Sequence, residues 1–226
     1  MQVPDHWLVL EARFLTEVYR GAEWPPSPFR LLQAIVAGNR TVEAPGLAWL
    51  ERQPTPDIFC PADTPEQRYT IYVPNNSDRR KTTGGTTGRE IHERRVTGTV
   101  RYAYRLSKDA DHEEAIRLIA SAAHLHTLGS GQDQASLSGF VTTLRPASNA
   151  GEIHFTPSHA GKAMPLRSEL DIQLRVAVPG SLASLEARFQ ASQNRLDKAK
   201  GWFSPVLAPA LHDVVARDVG AHDVEA

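Results

Sequence analysis

Residues 68–106 read RYTIYVPNNSDRRKTTGGTTGREIHERRVTGTVRYAYRL, and the fold turns on how this stretch divides. Arg68 to Val73 alternates with period two and reads as a strand ending at Pro74-Asn75-Asn76. Thr97 to Leu106 is a second strand, with Val100, Tyr102, Tyr104 and Leu106 on one face. Between them lies Thr82-Thr83-Gly84-Gly85-Thr86-Thr87-Gly88, small and rich in hydroxyls, which packs no core. From Arg79 to Arg101 seven basic residues (Arg79, Arg80, Lys81, Arg89, Arg94, Arg95 and Arg101) face only Glu90 and Glu93, a surplus of five charges. Such a segment can engage phosphates, and its N–H and O–H groups can follow a polyanion closely, ordering on binding. The competing reading of a charge run is a solvated loop that keeps the chain soluble.

Working outward, His6 to Phe14 alternates as a first strand with Leu8, Leu10, Ala12 and Phe14 toward a core. After a turn through Gly21, Ser27 is an N-cap with Pro28 at the first helical position and Gly38 as the C-cap. Leu31, Leu32, Ile35 and Val36 give that helix one buried face. A short helix is expected from Pro45 to Arg52. On the far side, Asp111 to His126 reads as a helix capped by Asp111, with Glu113 and Glu114 at its positive end. Its buried stripe is expected to be Ile116, Ile119, Ala120, Ala123 and Leu128. A turn at Gly129-Ser130-Gly131 then leads to a strand at Ser136 to Leu144.

The order strand, helix, strand, insertion, strand, helix, strand predicts an α+β fold: a ferredoxin-like domain of the RNA-recognition type over residues 1–145, with a basic insertion at about 75–98. Residues 146–226 are expected to form a small β/helical extension. Strands are expected there at Glu152 to Phe155 and Leu170 to Val178, with helices at Leu182 to Lys200 and Leu207 to Val219.

Composition narrows the class. The chain has 226 residues, 25 Lys+Arg against 26 Asp+Glu, and a hydrophobic fraction of 41%, values of an ordinary globular protein and not of a disordered one. No run approaches the ~20 apolar residues of a membrane span, and no secretory signal is visible at Met1 to His6. A single cysteine, Cys60, leaves no internal disulfide and no cysteine-based zinc cluster, so a cytoplasmic location is expected. Neutral overall charge hides opposed local fields. Asp213, Asp218, Asp223 and Glu225 against Arg217 make the last stretch acidic.

Nine histidines invite an enzymatic reading. Their spacing gives no HExxH or similar ligand set, and His124 and His126 point to different helix faces. No metal and no cofactor is expected. A metal-independent ribonuclease could use His92 as general acid or base; a contact to phosphate or solvent is the simpler role for it. Tyr69, Tyr72, Tyr102 and Tyr104 flank the basic insertion. Aromatic faces beside arginines suit stacking on unpaired bases, although Tyr102 and Tyr104 share a face that fits the core better.

The block Glu23 to Gly38, EWPPSPFRLLQAIVAG, after a strand of the HWLVLEARF kind, resembles the N-terminal, Cas-five-like half of the fused Cas-five/Cas-six RAMP protein of type I-G (formerly I-U) CRISPR systems. LAWLERQPTP at Leu47 to Pro56, the turn at Tyr72 to Asn76 and LRVAVPGSLASLEARF at Leu174 to Phe189 add to it. The resemblance implies a RAMP domain whose β-hairpin thumb enters the guide RNA, in a subunit that caps the 5′ handle of CRISPR RNA within a Cascade complex. Its implied partners are the CRISPR RNA (handle and first spacer nucleotides), the Cascade backbone and large subunits, and target DNA through the complex, with no membrane. Repeat cleavage belongs to the other half of the fusion, and 226 residues are too few for a second RAMP module, so no enzymatic activity is expected. The expected RNA-binding residues are Arg79, Arg80, Lys81, Thr82, Thr83, Arg89, His92, Arg94, Arg95 and Arg101, with Arg30 and Trp24 at the helix-to-sheet edge. RAMP relatives often carry a Gly-Arg-Ser-type loop after the second helix; here Gly129-Ser130-Gly131-Gln132 lacks the arginine. An assembly adaptor whose basic loop docks a neighbouring subunit is the third reading.

Overall fold

The structure is a computed structural model that describes residues 6–21, 23–74, 86–107, 109–157, 172–197 and 217–225. In chain order the elements are β1 (His6–Phe14), β2 (Val18–Tyr19), α1 (Pro28–Asn39), α2 (Leu47–Leu50), β3 (Asp57–Pro61), β4 (Glu66–Pro74) and β5 (Thr86–Arg95). They continue with β6 (Thr99–Leu106), α3 (Asp109–Ala122), β7 (Ala135–Thr142), β8 (Glu152–Pro157), β9 (Ile172–Val176), α4 (Ser181–Asp197) and β10 (Arg217–Glu225). The architecture is α+β. A seven-stranded antiparallel sheet runs β7-β1-β6-β3-β8-β10-β9, and a separate three-stranded sheet runs β2-β5-β4.

Alternation on β1 works as expected. Leu8, Leu10, Ala12 and Phe14 enter the main core, while Trp7 and Val9 emerge on the opposite face and meet Phe59 and Ala103. Across the ladder, Leu8 faces Tyr104 and Leu10 faces Tyr102, both buried. Burial raises the pKa of each phenol. The Tyr102 hydroxyl donates to the Pro26 carbonyl at 2.7 Å, tying the sheet to the connector before α1.

Ser27 caps α1 as expected, its hydroxyl accepting from the Arg30 N–H at 3.3 Å, with Pro28 in the first turn. Gly38 is not the C-cap. The helix continues to Asn39 and ends with Arg40 in the left-handed region at φ 59°. Gly38 serves contact: a Cβ there would lie 2.2 Å from the His124 carbonyl oxygen, so only glycine lets α1 and the end of α3 approach this closely. The Asn39 amide spans the same gap, donating to the Ile35 and Ser121 carbonyls, each at 2.8 Å.

The second strand of the expected unit is misplaced in the sequence reading. Arg68–Val73 is absent from the seven-stranded sheet; Asp57–Pro61 lies there instead, beside β6 and β8. Both of its faces are buried, Ile58 and Cys60 in the main core and Phe59 on the other side, so DIFCP shows no alternation. The α3 stripe is also offset. Ala115, Leu118 and Ala122 are buried, whereas Ile116 is 54% exposed. Asp111 lies inside α3, where its carboxylate accepts from the Trp49 indole at 2.9 Å and from the Ser107 N–H at 3.0 Å.

Residue 146 falls in the connection between β7 and β8, and the sheet continues across it because β8 pairs with β3. Glu152–Pro157 and Ile172–Val176 match two expected strands, and α4 begins at Ser181 with Leu182 buried. The helix expected at Leu207 to Val219 lies partly outside the described residues. Its end, from Arg217, is strand β10, inserted between β8 and β9.

Candidate nucleic-acid interface

Strands β4 and β5 form a long hairpin arm between β3 and β6. Its root is β2: Val18 and Tyr19 pair with Arg95 and Arg94, and the Val96 N–H donates to the Glu17 carbonyl at 2.8 Å. The register runs from Glu66 opposite Arg94 to Pro74 opposite Thr86. Both faces are exposed, with Tyr72 at 72% on one and Tyr69 and Ile71 at 43% and 38% on the other. Residues Arg79, Arg80, Lys81, Thr82 and Thr83 lie outside the described residues.

One face of the arm gathers cations on a carboxylate that the basic window does not contain. Glu66 accepts from Arg94 Nη2 at 2.6 Å and Arg68 Nε at 3.1 Å, and its Oε1 sits 2.8 Å from His92 Nδ1. The His92 hydrogen bond, with Arg94 and Arg68, holds the Glu66 carboxyl below its ordinary pKa against the opposing effect of desolvation. Further along this face Tyr72 lies beside Gly88, where an added Cβ would stand 3.5 Å from the ring.

The other face carries Tyr69, Ile71, Ile91, the exposed Arg89, and Glu93. Glu93 accepts from the Tyr69 hydroxyl at 3.2 Å and from Arg20 Nε at 3.0 Å. Arg20 also reaches the fully buried Asp133, whose Oδ2 accepts the Arg20 and Ser130 N–H groups at 3.0 and 2.7 Å. The turn Gly129-Ser130-Gly131 is thus closed by Asp133 and linked through Arg20 to the arm. Arg95 is 71% exposed, 3.8 Å from Glu17.

Two groups of expected RNA-binding residues separate here. Arg89, His92, Arg94 and Arg95 share the arm. Arg101 does not: it sits on the main sheet, 9% exposed, paired with Glu152, donating to the Ala147 carbonyl at 2.9 Å and lying 4.6 Å above the Phe59 ring. Burial and a matched carboxylate make it a structural cation. Trp24 packs half-buried against Tyr19, with ring centroids 5.4 Å apart. Arg30 is half-buried on α1, its Nε enclosed without a hydrogen-bond partner among the described residues. The sequence reading missed Glu66, Arg68 and Arg20. Glu66 opposes Arg94 only once the hairpin register is known.

Among the described residues no cluster of three metal-ligating side chains occurs, and no helix is long and apolar enough to cross a membrane. A CRISPR protein from Archaeoglobus fulgidus of known crystal structure is 10% identical, with 75% of this chain and 77% of that one covered and a TM-score of 0.37. At that overlap it fixes neither fold nor function. No curated protein matches significantly. The family model described as "CRISPR-associated protein, GSU0054 family" matches residues 15–219, nearly the whole chain, and the chain belongs to that CRISPR-associated family.

Proposed function

We propose that the chain is a CRISPR RNA-binding subunit of a type I Cascade effector complex, capping the 5′ handle of the guide in antiviral DNA interference. The observation that carries this reading is the arm: a hairpin with both faces exposed, bearing Tyr72, Arg89 and Arg95, emerging between adjacent strands of the main sheet. An exposed aromatic beside guanidinium groups suits unpaired bases and their phosphates. Membership of a CRISPR-associated family supports the setting.

On the same reading the core is ferredoxin-like. Strands β1, β3, β6 and β7 with α1 and α3 follow the β-α-β-β-α-β order, and their sheet order β7-β1-β6-β3 is the one that connectivity gives. Residues 1–145 are then the RAMP unit and 146–226 an extension built on its β3 edge. The arm is its thumb, β4 included, and the chain corresponds to the Cas-five-like half of a type I-G fusion. We read it as non-catalytic and cytoplasmic, with Cascade backbone and large subunits as neighbours. His92 is held by Glu66 at 2.8 Å and faces Glu90 at 3.8 Å, so both ring nitrogens are turned to carboxylates of the arm itself.

The test is to incubate the purified chain with labelled CRISPR repeat RNA, without metal, at low and physiological salt, scoring retention and cleavage. Salt-sensitive retention without cleavage is expected. Cleavage lost in His92→Ala would establish the ribonuclease reading instead, and absence of any retention would leave the adaptor role.

A further inference from the structure

The sheet face turned away from α1 and α3 carries a second set of groups suited to a nucleic-acid strand. Phe140 on β7 stands directly across from Val9, whose other neighbour is Ala103. Val9 and Ala103 are buried at 1% each, yet Phe140 remains 45% exposed, an aromatic ring standing at the rim of an apolar floor. On the adjacent rung Trp7 lies between Thr142 and Arg105. The Arg145 guanidinium is 5.9 Å from the Trp7 ring centre, and both Arg105 and Arg145 are exposed. On the other side Ser138 and Ser136 face Glu11 and the exposed Arg13. Glu152 on the same face is paired with Arg101.

Phe140 stands between Ser138 and Thr142 on its strand, with the Arg145 guanidinium over neighbouring Trp7, a setting that matches unpaired nucleotides better than a protein partner, whose contact core is depleted of charge. We propose that Phe140 is a stacking platform for an unpaired base, with Arg145 meeting a flanking phosphate. A single strand would then run along the β7 edge of the sheet, where Phe140 is exposed, as well as along the arm. The inference rests on the RNA-binding reading above and adds a contact surface to it.

The test uses the full chain with fluorescent single-stranded oligouridine at low salt. Phe140→Ser is expected to weaken binding about tenfold, and Phe140→Trp to retain it, with unchanged melting temperatures. Ultraviolet cross-linking is expected to mark the peptide containing Phe140. If the wild type binds and Tyr72→Ala weakens it while Phe140→Ser does not, this inference falls and the arm-based reading stands. If Phe140→Ser abolishes self-association and leaves oligouridine binding unchanged, the face is a protein contact and the inference falls. Failure of the wild type to bind any single strand overturns both.

Discussion

Replacing Glu152 by glutamine would leave the Arg101 guanidinium buried with no matched charge. The two side chains are 10% and 11% exposed, and Arg101 also holds the Ala147 carbonyl and covers Phe59, which stacks on His154 at 4.1 Å. Breaking a buried pair from one side costs about 3–5 kcal/mol. The residual exposure and the surviving Ala147 bond argue for the lower end, about 3 kcal/mol. With a urea m-value of roughly 3 kcal/mol/M for a chain of this size, the unfolding midpoint should fall by about 1 M. Arg101→Met combined with Glu152→Leu removes both charges and should return to within about 1 kcal/mol of the wild type. RNA binding, measured by titration at two salt concentrations, should be unchanged in the double variant. A midpoint that barely moves in Glu152→Gln, together with a shallower salt dependence in the double variant, would show that Arg101 meets phosphate and would refute its structural assignment.

Three further outcomes follow from the arm. Gly88→Val drives a branched side chain against the Tyr72 ring and toward the Thr70 methyl, 3.2 Å from the Cβ position; RNA affinity should drop about fivefold or more, read by filter binding, while the melting temperature holds. Because Glu66 is held below its ordinary pKa, its cluster stabilises the arm fully above about pH 4.3 and loses that contribution as pH falls through the lower folded value. Protection of the β4 amides, measured against their intrinsic exchange rate at each pH, should therefore fall in acid in the wild type, and Glu66→Gln should remove that dependence. Salt titration with single-stranded RNA gives a logarithmic slope of about −0.7 per phosphate neutralised, so Arg89 and Arg95 alone predict roughly −1.4, whereas seven basic residues would give roughly −5.

Much of the core was legible because its periodicities are local. β1 alternates, α1 carries its own cap and proline, and β6 places Tyr102 and Tyr104 on the buried face. β3 escaped because a strand buried on both sides shows no alternation, while RYTIYV alternates perfectly in an arm exposed on both. The α3 stripe was misread for a packing reason. At Gly139 an added Cβ would lie 2.8 Å from Ile119, so helix and sheet sit close enough that small residues, Ala115 and Ala122, serve at the interface in place of Ile116. The candidate site was legible as a basic hairpin but not as a set of pairings. Glu66 lies 28 residues from Arg94, and Glu152 lies 51 from Arg101.

Those pairings alter what the charge surplus means. Between Arg79 and Arg101 the sequence holds five more basic than acidic residues, yet three of the cations, Arg94, Arg95 and Arg101, already face carboxylates outside that window. On the described arm, Arg68, Arg89, Arg94 and Arg95 stand against Glu66, Glu90 and Glu93, leaving a surplus of one. Unpaired guanidinium groups crowded on a thin two-stranded ribbon would repel one another, and Glu66 removes that repulsion by binding two arginines and a histidine. An arm built this way holds its shape through its own ion pairs. On the described arm, therefore, recognition would depend more on where Tyr72 and Arg89 stand than on bulk attraction to a polyanion, whereas a guide strand held chiefly by charge would depend on Arg79, Arg80 and Lys81.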